Sequence, residues 1–144
     1  MKVIDIEPQI FEELANMPGN REWMTEGDGE VGVGEVSGAV YIGVATEDTV
    51  AALAAQPINS VCAHIHFCMH PTRRARKLSA ARALVRGAQE RMRNTTLFCM
   101  VPADNRGIQG LIKRVGLREV GRLTDAHRRH MERHDMIIFE VTHG

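Results

Sequence analysis

Apolar residues recur along this chain in two rhythms, and their alternation predicts the fold. Residues 3–7 (VIDIE) alternate and predict a short strand. In 8–17 (PQIFEELANM) Pro8 suits a first helical turn, and Ile10, Phe11, Leu14 and Met17 fall at helical spacing. Pro18, Gly19 and Asn20 stop that helix. Residues 21–30 carry no clear period; a second short helix and a loop are the expectation. In 31–45 (VGVGEVSGAVYIGVA) Ser37 and Gly38 separate two β-rich runs, which predicts a hairpin. Residues 46–60 (TEDTVAALAAQPINS) predict one or two helical turns, capped at Thr46 or Thr49 and closed by Pro57.

A strand over 60–70 (SVCAHIHFCMH) and a polar turn over 71–77 (PTRRARK) follow. Residues 78–92 give the strongest helix signal, with Leu78, Ala81, Leu84, Val85, Ala88 and Met92 on one stripe. Residues 96–102 (TLFCMVP) are apolar without alternation, as in a strand covered on both faces. A short helix runs from Asn105 to Val115, with Gly116 as its stop. Strands over 117–123 and 136–142 close the chain, linked by the charged segment 124–135. Strand 60–70, helix 78–92 and strand 96–102 have the length of a right-handed βαβ crossover with parallel strands. Both ends of the chain look antiparallel. The prediction is an α/β domain spanning 1–144: a mixed, mostly antiparallel central sheet with helices on both faces.

The 144 residues fit one domain and suffice to bury roughly 70% of the unfolded surface without metal or disulfide. Net charge is zero, but it is unevenly spread. Residues 1–30 hold eight acids against two bases, and residues 71–94 hold eight bases against one acid. A local anion-binding surface is therefore expected on the second stretch. Aromatics make up only 4%, which leaves few stacking platforms for nucleic acid. No apolar run is long enough to cross a membrane as a helix. Three cysteines and no signal-peptide pattern fit a reduced, cytoplasmic protein.

The stretch CAHIHFCMH (62–70) places a potential metal ligand at every second position: Cys62, His64, His66, Cys68 and His70. A strand rises about 3.3 Å per residue, so its ends lie roughly 26 Å apart and the five cannot share an ion. A neighbouring pair such as His64 and His66 is the most that one ion can use, and nothing in the sequence brings His127, His130 or His134 to it. No metal is expected. Two readings remain: a polar sheet face, or a strand with a histidine base near neutral pKa. Cys68 and Cys99 read as small buried residues.

HFCMHPTRRARKLSAARAL (66–84) and NRGIQGLIKRVGL (105–117) together resemble the GNAT acetyltransferase superfamily. In that family a strand, a turn with arginine and glycines, and a helix opening on a pyrophosphate form the central signature; an asparagine-led helix forms the second. The resemblance implies acetyl-CoA as co-substrate. It implies contacts from Phe67, Cys68 and Met69 to the pantetheine arm, from Arg74, Ala75, Arg76, Lys77, Leu78 and Ser79 to the pyrophosphate, and from Asn105. AHIH (63–66) is similar to a histidine pair of the arylalkylamine N-acetyltransferases, which implies His66 or His64 as the base. The acceptor is then an amine on a small molecule or protein; a homodimer is compatible with such a domain. The chain departs from the family pattern. Arg74 matches the arginine, but the glycines fall on Ala75, Lys77 and Ser79, and the family tyrosine falls on Ile112. Similar erosion occurs in GNAT-like proteins of tailed phages, so a non-catalytic, virion-associated binding protein is the alternative.

Overall fold

The computed structural model describes residues 1–25, 29–34 and 36–141. Its elements are β1 (Ile4–Asp5), α1 (Pro8–Ala15), α2 (Arg21–Met24), β2 (Val40–Ala45), β3 (Thr49–Asn59), β4 (Cys62–Arg74), α3 (Lys77–Arg91), β5 (Thr96–Pro102), α4 (Arg106–Val115), β6 (Leu117–Arg129) and β7 (Glu132–Val141). Among the described residues the strands form one seven-stranded sheet in the order β1-β2-β3-β4-β5-β7-β6. Only β4 and β5 run parallel, with α3 as their crossover; the other neighbours are antiparallel. Helices cover both faces, as the sequence predicts. Phe11, Leu14 and Ala15 of α1 pack on Tyr41, Ala52, Ala54 and Cys68. Ala80, Leu84 and Ala88 of α3 pack on Ile42, Leu53, Ala63, Ile65 and Leu97 from the other side.

Three predicted elements are corrected. Residues 49–59 form a strand, where the local pattern predicts helical turns. Alanine favours helices, but Ala51 to Ala55 are all buried, and an element apolar all round fits a central strand covered twice. Methyl groups let α1 and α3 approach that strand closely. Pro57 is tolerated because main-chain groups of alternate β3 residues turn toward β2, and β2 ends at Val40, opposite Ala55. The proline nitrogen therefore points past the neighbouring strand.

The expected hairpin around Ser37 and Gly38 is a turn only. Gly38 has φ +76° and the Ala39 N–H donates to Val36, but residues 31–34 are not a strand. Both edges of β2 are taken by β1 and β3. Val31 is held instead by Asn16, which accepts from the Val31 N–H (2.7 Å) and donates to its carbonyl (2.9 Å). Glu35 of that expected hairpin, residues 26–28 and Thr142 of the expected last strand lie outside the described residues.

The charged segment 124–135 is mostly strand. β6 and β7 extend into one long hairpin with His127 opposite His134. Their polar residues form cross-strand ion pairs, Arg118 with Glu140 and Arg122 with Asp135. Hydrophobic alternation is a poor guide there, because β6 is the sheet's exposed edge.

Ala55→Leu tests the strand assignment. Ala55 is fully buried, so added methylenes should destabilise by about 1–3 kcal/mol in urea unfolding. A neutral result would fit a surface helix and contradict a central strand.

Candidate active site

β4 and β5 pair at only three positions: Cys62 with Thr96, Ala63 with Leu97 and His64 with Phe98. Beyond these the strands part. β4 stays paired with β3 through Met69, and β5 with β7 through Pro102. The Thr96 N–H donates to the Val61 carbonyl (2.8 Å). Main-chain groups alternate along a strand, so those of Phe67 and Met69 also face β5, where no strand lies opposite, and those of Cys68 face β3. Asn20 donates to the Met69 carbonyl (2.7 Å) and to the Leu14 carbonyl (2.9 Å). It ties the α1–α2 junction to the rim of the gap.

Side chains alternate too. Ala63, Ile65, Phe67 and Met69 face α3 and α4, while Cys68 packs with α1. His64 and His66 share the Cys68 face. Their rings lie 4.1 Å apart, and His64 stacks flat on Phe98 at 4.8 Å. Burial, with His66 as a second cause, pushes His64 down to about 4. Burial also lowers His66. Both rings are therefore neutral at neutral pH. Cys68 and Cys99 are buried thiols pushed up to about 12, which makes them poor nucleophiles. His70 does something different. Its Nδ1 accepts from the N–H groups of Thr72 (3.2 Å) and Arg73 (3.1 Å), shaping the end of β4.

The gap opens on an apolar cavity of about 240 Å³. His64 and His66 line it, with Trp23, Met24, Met100, His127 and Met136 on the same side. Periodicity and motifs point neither to Trp23, the one tryptophan, nor to residues 127–134, which fall in the charged segment that links the last two predicted strands. Arg129 stacks over Trp23 at 4.3 Å and pairs with Asp104. That pairing holds the Asp104 carboxyl below the usual range. His134 lies 3.6 Å from Asp104. A lone aromatic beside an acidic stretch and a His/Arg-rich segment were the available signals, but only the long hairpin brings them together.

A second groove, of about 510 Å³, adjoins the first and shares Trp23, Phe67, Asn105 and Ile108 with it. Cys68, Met69, Arg74 and Lys77 line it, with Arg106 and Arg114 from α4. Ala75, Arg76, Leu78 and Ser79 lie outside its lining. The N–H groups of Ala75 and Arg76 are already used, donating to the Asp48 carbonyl (3.2 Å) and Thr49 Oγ1 (3.0 Å). The N–H groups of Lys77, Leu78 and Ser79 form the first turn of α3, which carries no acidic residue. A cation-rich helix start of this kind suits an anion. Asn105 caps α4, its Oδ1 accepting from Ile108 (3.2 Å).

No family model and no curated protein matches the sequence. Solved structures do match the fold. A variant of spermidine N-acetyltransferase SpeG from Vibrio cholerae superimposes with TM-score 0.72 at 14% identity, over 98% of this chain and 94% of that one. The structure of yncA from Salmonella typhimurium with its cofactor acetyl-CoA gives 0.74 at 9% identity, over 98% and 92%. Ribosomal-protein-alanine N-acetyltransferase from Brucella melitensis gives 0.68 at 12%, over 97% and 98%. The architecture is the GNAT fold, a mixed α/β sheet of the acyl-CoA N-acyltransferase type.

The depressed His64 has a consequence for stability. Unfolded, it titrates near ~6.5; folded, at about 4. Between those values the unfolded chain binds more protons, so acidification through this window should destabilise the fold. His64→Phe keeps a ring for Phe98 and removes the titration. Thermal melts from pH 7 to 4 should show a smaller loss of Tm in the variant than in wild type. Equal losses would mean that His64 is not buried as described.

Proposed function

We propose that this protein is an acyl-CoA-dependent N-acyltransferase, moving an acetyl group from acetyl-CoA to an amine by direct attack in a ternary complex. The observation that carries the proposal is the gap between β4 and β5. It offers the main-chain N–H and C=O of Phe67 to an extended ligand, with cations at the groove's outer end and a histidine pair at its inner end. Arg74 and Lys77, with the first turn of α3, suit the pyrophosphate. Phe67 supplies the strand-like contacts to the pantetheine arm; Cys68 and Met69 add walls to that groove. The Phe67 N–H is the candidate donor to the thioester oxygen, where negative charge grows during attack.

His66 serves as the base. It is the histidine adjacent to Phe67, and its neutral form is favoured by burial. His64, stacked on Phe98, positions it. The amine nitrogen bonds to the thioester carbon, its proton passes to His66 directly or through water, and the carbon–sulfur bond breaks. Ile112 has no proton to give, so the departing thiolate takes one from solvent. The acceptor is a small molecule or protein carrying an amine; spermidine and ribosomal-protein alanine are the acceptors named for proteins of similar fold. The reading includes neither membrane nor nucleic acid as partner.

The experiment is a panel of amines with acetyl-CoA and detection of released thiol. His66→Ala should lower turnover by about 10²–10⁴-fold. In wild type the acid limb of kcat should lie below the ordinary histidine value of ~6.5, because burial lowers His66. Full activity in the His64/His66 double variant would overturn the mechanism. Firm cofactor binding without turnover on any amine would favour the non-catalytic, phage-like alternative.

A further inference from the structure

The inner cavity does not end at the histidines. It passes through the gap and continues on the opposite face of the sheet, between α3 and α4. There it is walled by Leu53, Ala81, Val85, Ile112, Val115 and Leu117. Every one of these side chains is hydrocarbon. Ala81, Leu53 and Leu117 are buried, and Ile112 and Val115 pack on the main core. An apolar void is unfavourable when empty, since its lining lacks dispersion partners, and water does not fill such a site well. Roughly 150 Å³ is enough to hold a benzene-sized apolar ligand; the whole cavity, the histidine face and the helix face together, measures about 240 Å³. A two-carbon acetyl group uses a small part of that space.

We propose that the cavity between α3 and α4 is an acyl-tail pocket, and that the protein takes straight-chain acyl-CoA thioesters of about four to six carbons in preference to acetyl-CoA. This rests on the acyl-CoA reading above and extends it to the donor's chain length. The two sides of the gap then have separate roles. The histidine face, with Trp23 and Met136, receives the amine. The helix face receives the tail, which enters beside Phe67, one of the residues that line both cavities. Ile112 contributes twice to this arrangement: it is apolar, and it is smaller than an aromatic side chain at the same place.

The test is calorimetric titration of the full chain with CoA, acetyl-CoA, butyryl-CoA, hexanoyl-CoA and decanoyl-CoA, which needs no knowledge of the acceptor. Burial of one methylene corresponds to roughly three- to fourfold in affinity. Hexanoyl-CoA should therefore bind at least about tenfold more tightly than acetyl-CoA, with no further gain for decanoyl-CoA once the pocket is full. Val85→Phe, which fills the pocket from α3, should bring the hexanoyl-to-acetyl ratio down to about one. The milder Val85→Met should lower it partway if the phenylalanine variant fails to fold. Equal binding of all thioesters and of CoA by wild type would overturn the tail pocket and leave the acyl-CoA reading standing. A wild-type ratio that survives in folded Val85→Phe would overturn the placement between α3 and α4. Failure of CoA and every thioester to bind would overturn the acyl-CoA reading itself, and this proposal with it.

Discussion

An interior strand with one unpaired edge is an unfavourable thing to build, and this fold is organised around one. Buried main-chain groups normally find partners, and a missing partner costs about as much as a lost hydrogen bond. Here β4 loses its parallel neighbour after His64. The sheet tolerates this because β4 is held to β3 along its other side, and β3 to β2. Small side chains on β3 allow helices to clamp those strands from both faces. On the far side β5 is secured by β7. Asn20 satisfies the Met69 carbonyl at the rim. What stays open is a short length of strand edge inside the sheet, where an extended guest can pair.

The chemistry follows from that opening. Parting the strands brings side chains from α2, β4, β5, β6 and β7 around one apolar cavity. Burial there keeps the two histidines neutral and therefore able to take a proton. The same burial makes Cys68 and Cys99 inert. The charged groups are kept outside: Arg74, Lys77, Arg106 and Arg114 along the outer groove, and the Asp104–Arg129 pair beside Trp23. An apolar interior with a cation-lined approach suits a ligand that is charged at one end and uncharged at the reacting end.

The sequence disclosed the parts governed by local rules. The period of α3, the asparagine cap and glycine stop of α4, and the βαβ unit around them were all legible. So was the alternation in CAHIHFCMH that puts His64 and His66 on one face. It was silent where tertiary burial overrides propensity. The alanines of β3 look helical because nothing local says that both faces will be covered. The charged residues 124–135, where β6 and β7 extend past their predicted ends, look like a linker because an exposed edge strand needs no apolar alternation. Trp23 lies far along the chain from Asp104 and Arg129, and no spacing rule links them. The candidate anion site was half legible. Arg74 and Lys77 line the groove, but the use of the Ala75 and Arg76 N–H groups by Asp48 and Thr49 depends on a turn that the local pattern marks as helical.

The proposed function rests on the open edge of β4 as the place where an acyl-CoA arm pairs with the protein. Amide hydrogen exchange at single-residue resolution, read at Phe67 with and without saturating acetyl-CoA, addresses it most directly. Exchange at Phe67 should slow strongly on addition of the thioester, while Cys68, already bonded to β3, changes little. Unaltered exchange at Phe67, with the thioester shown to be bound, would contradict it.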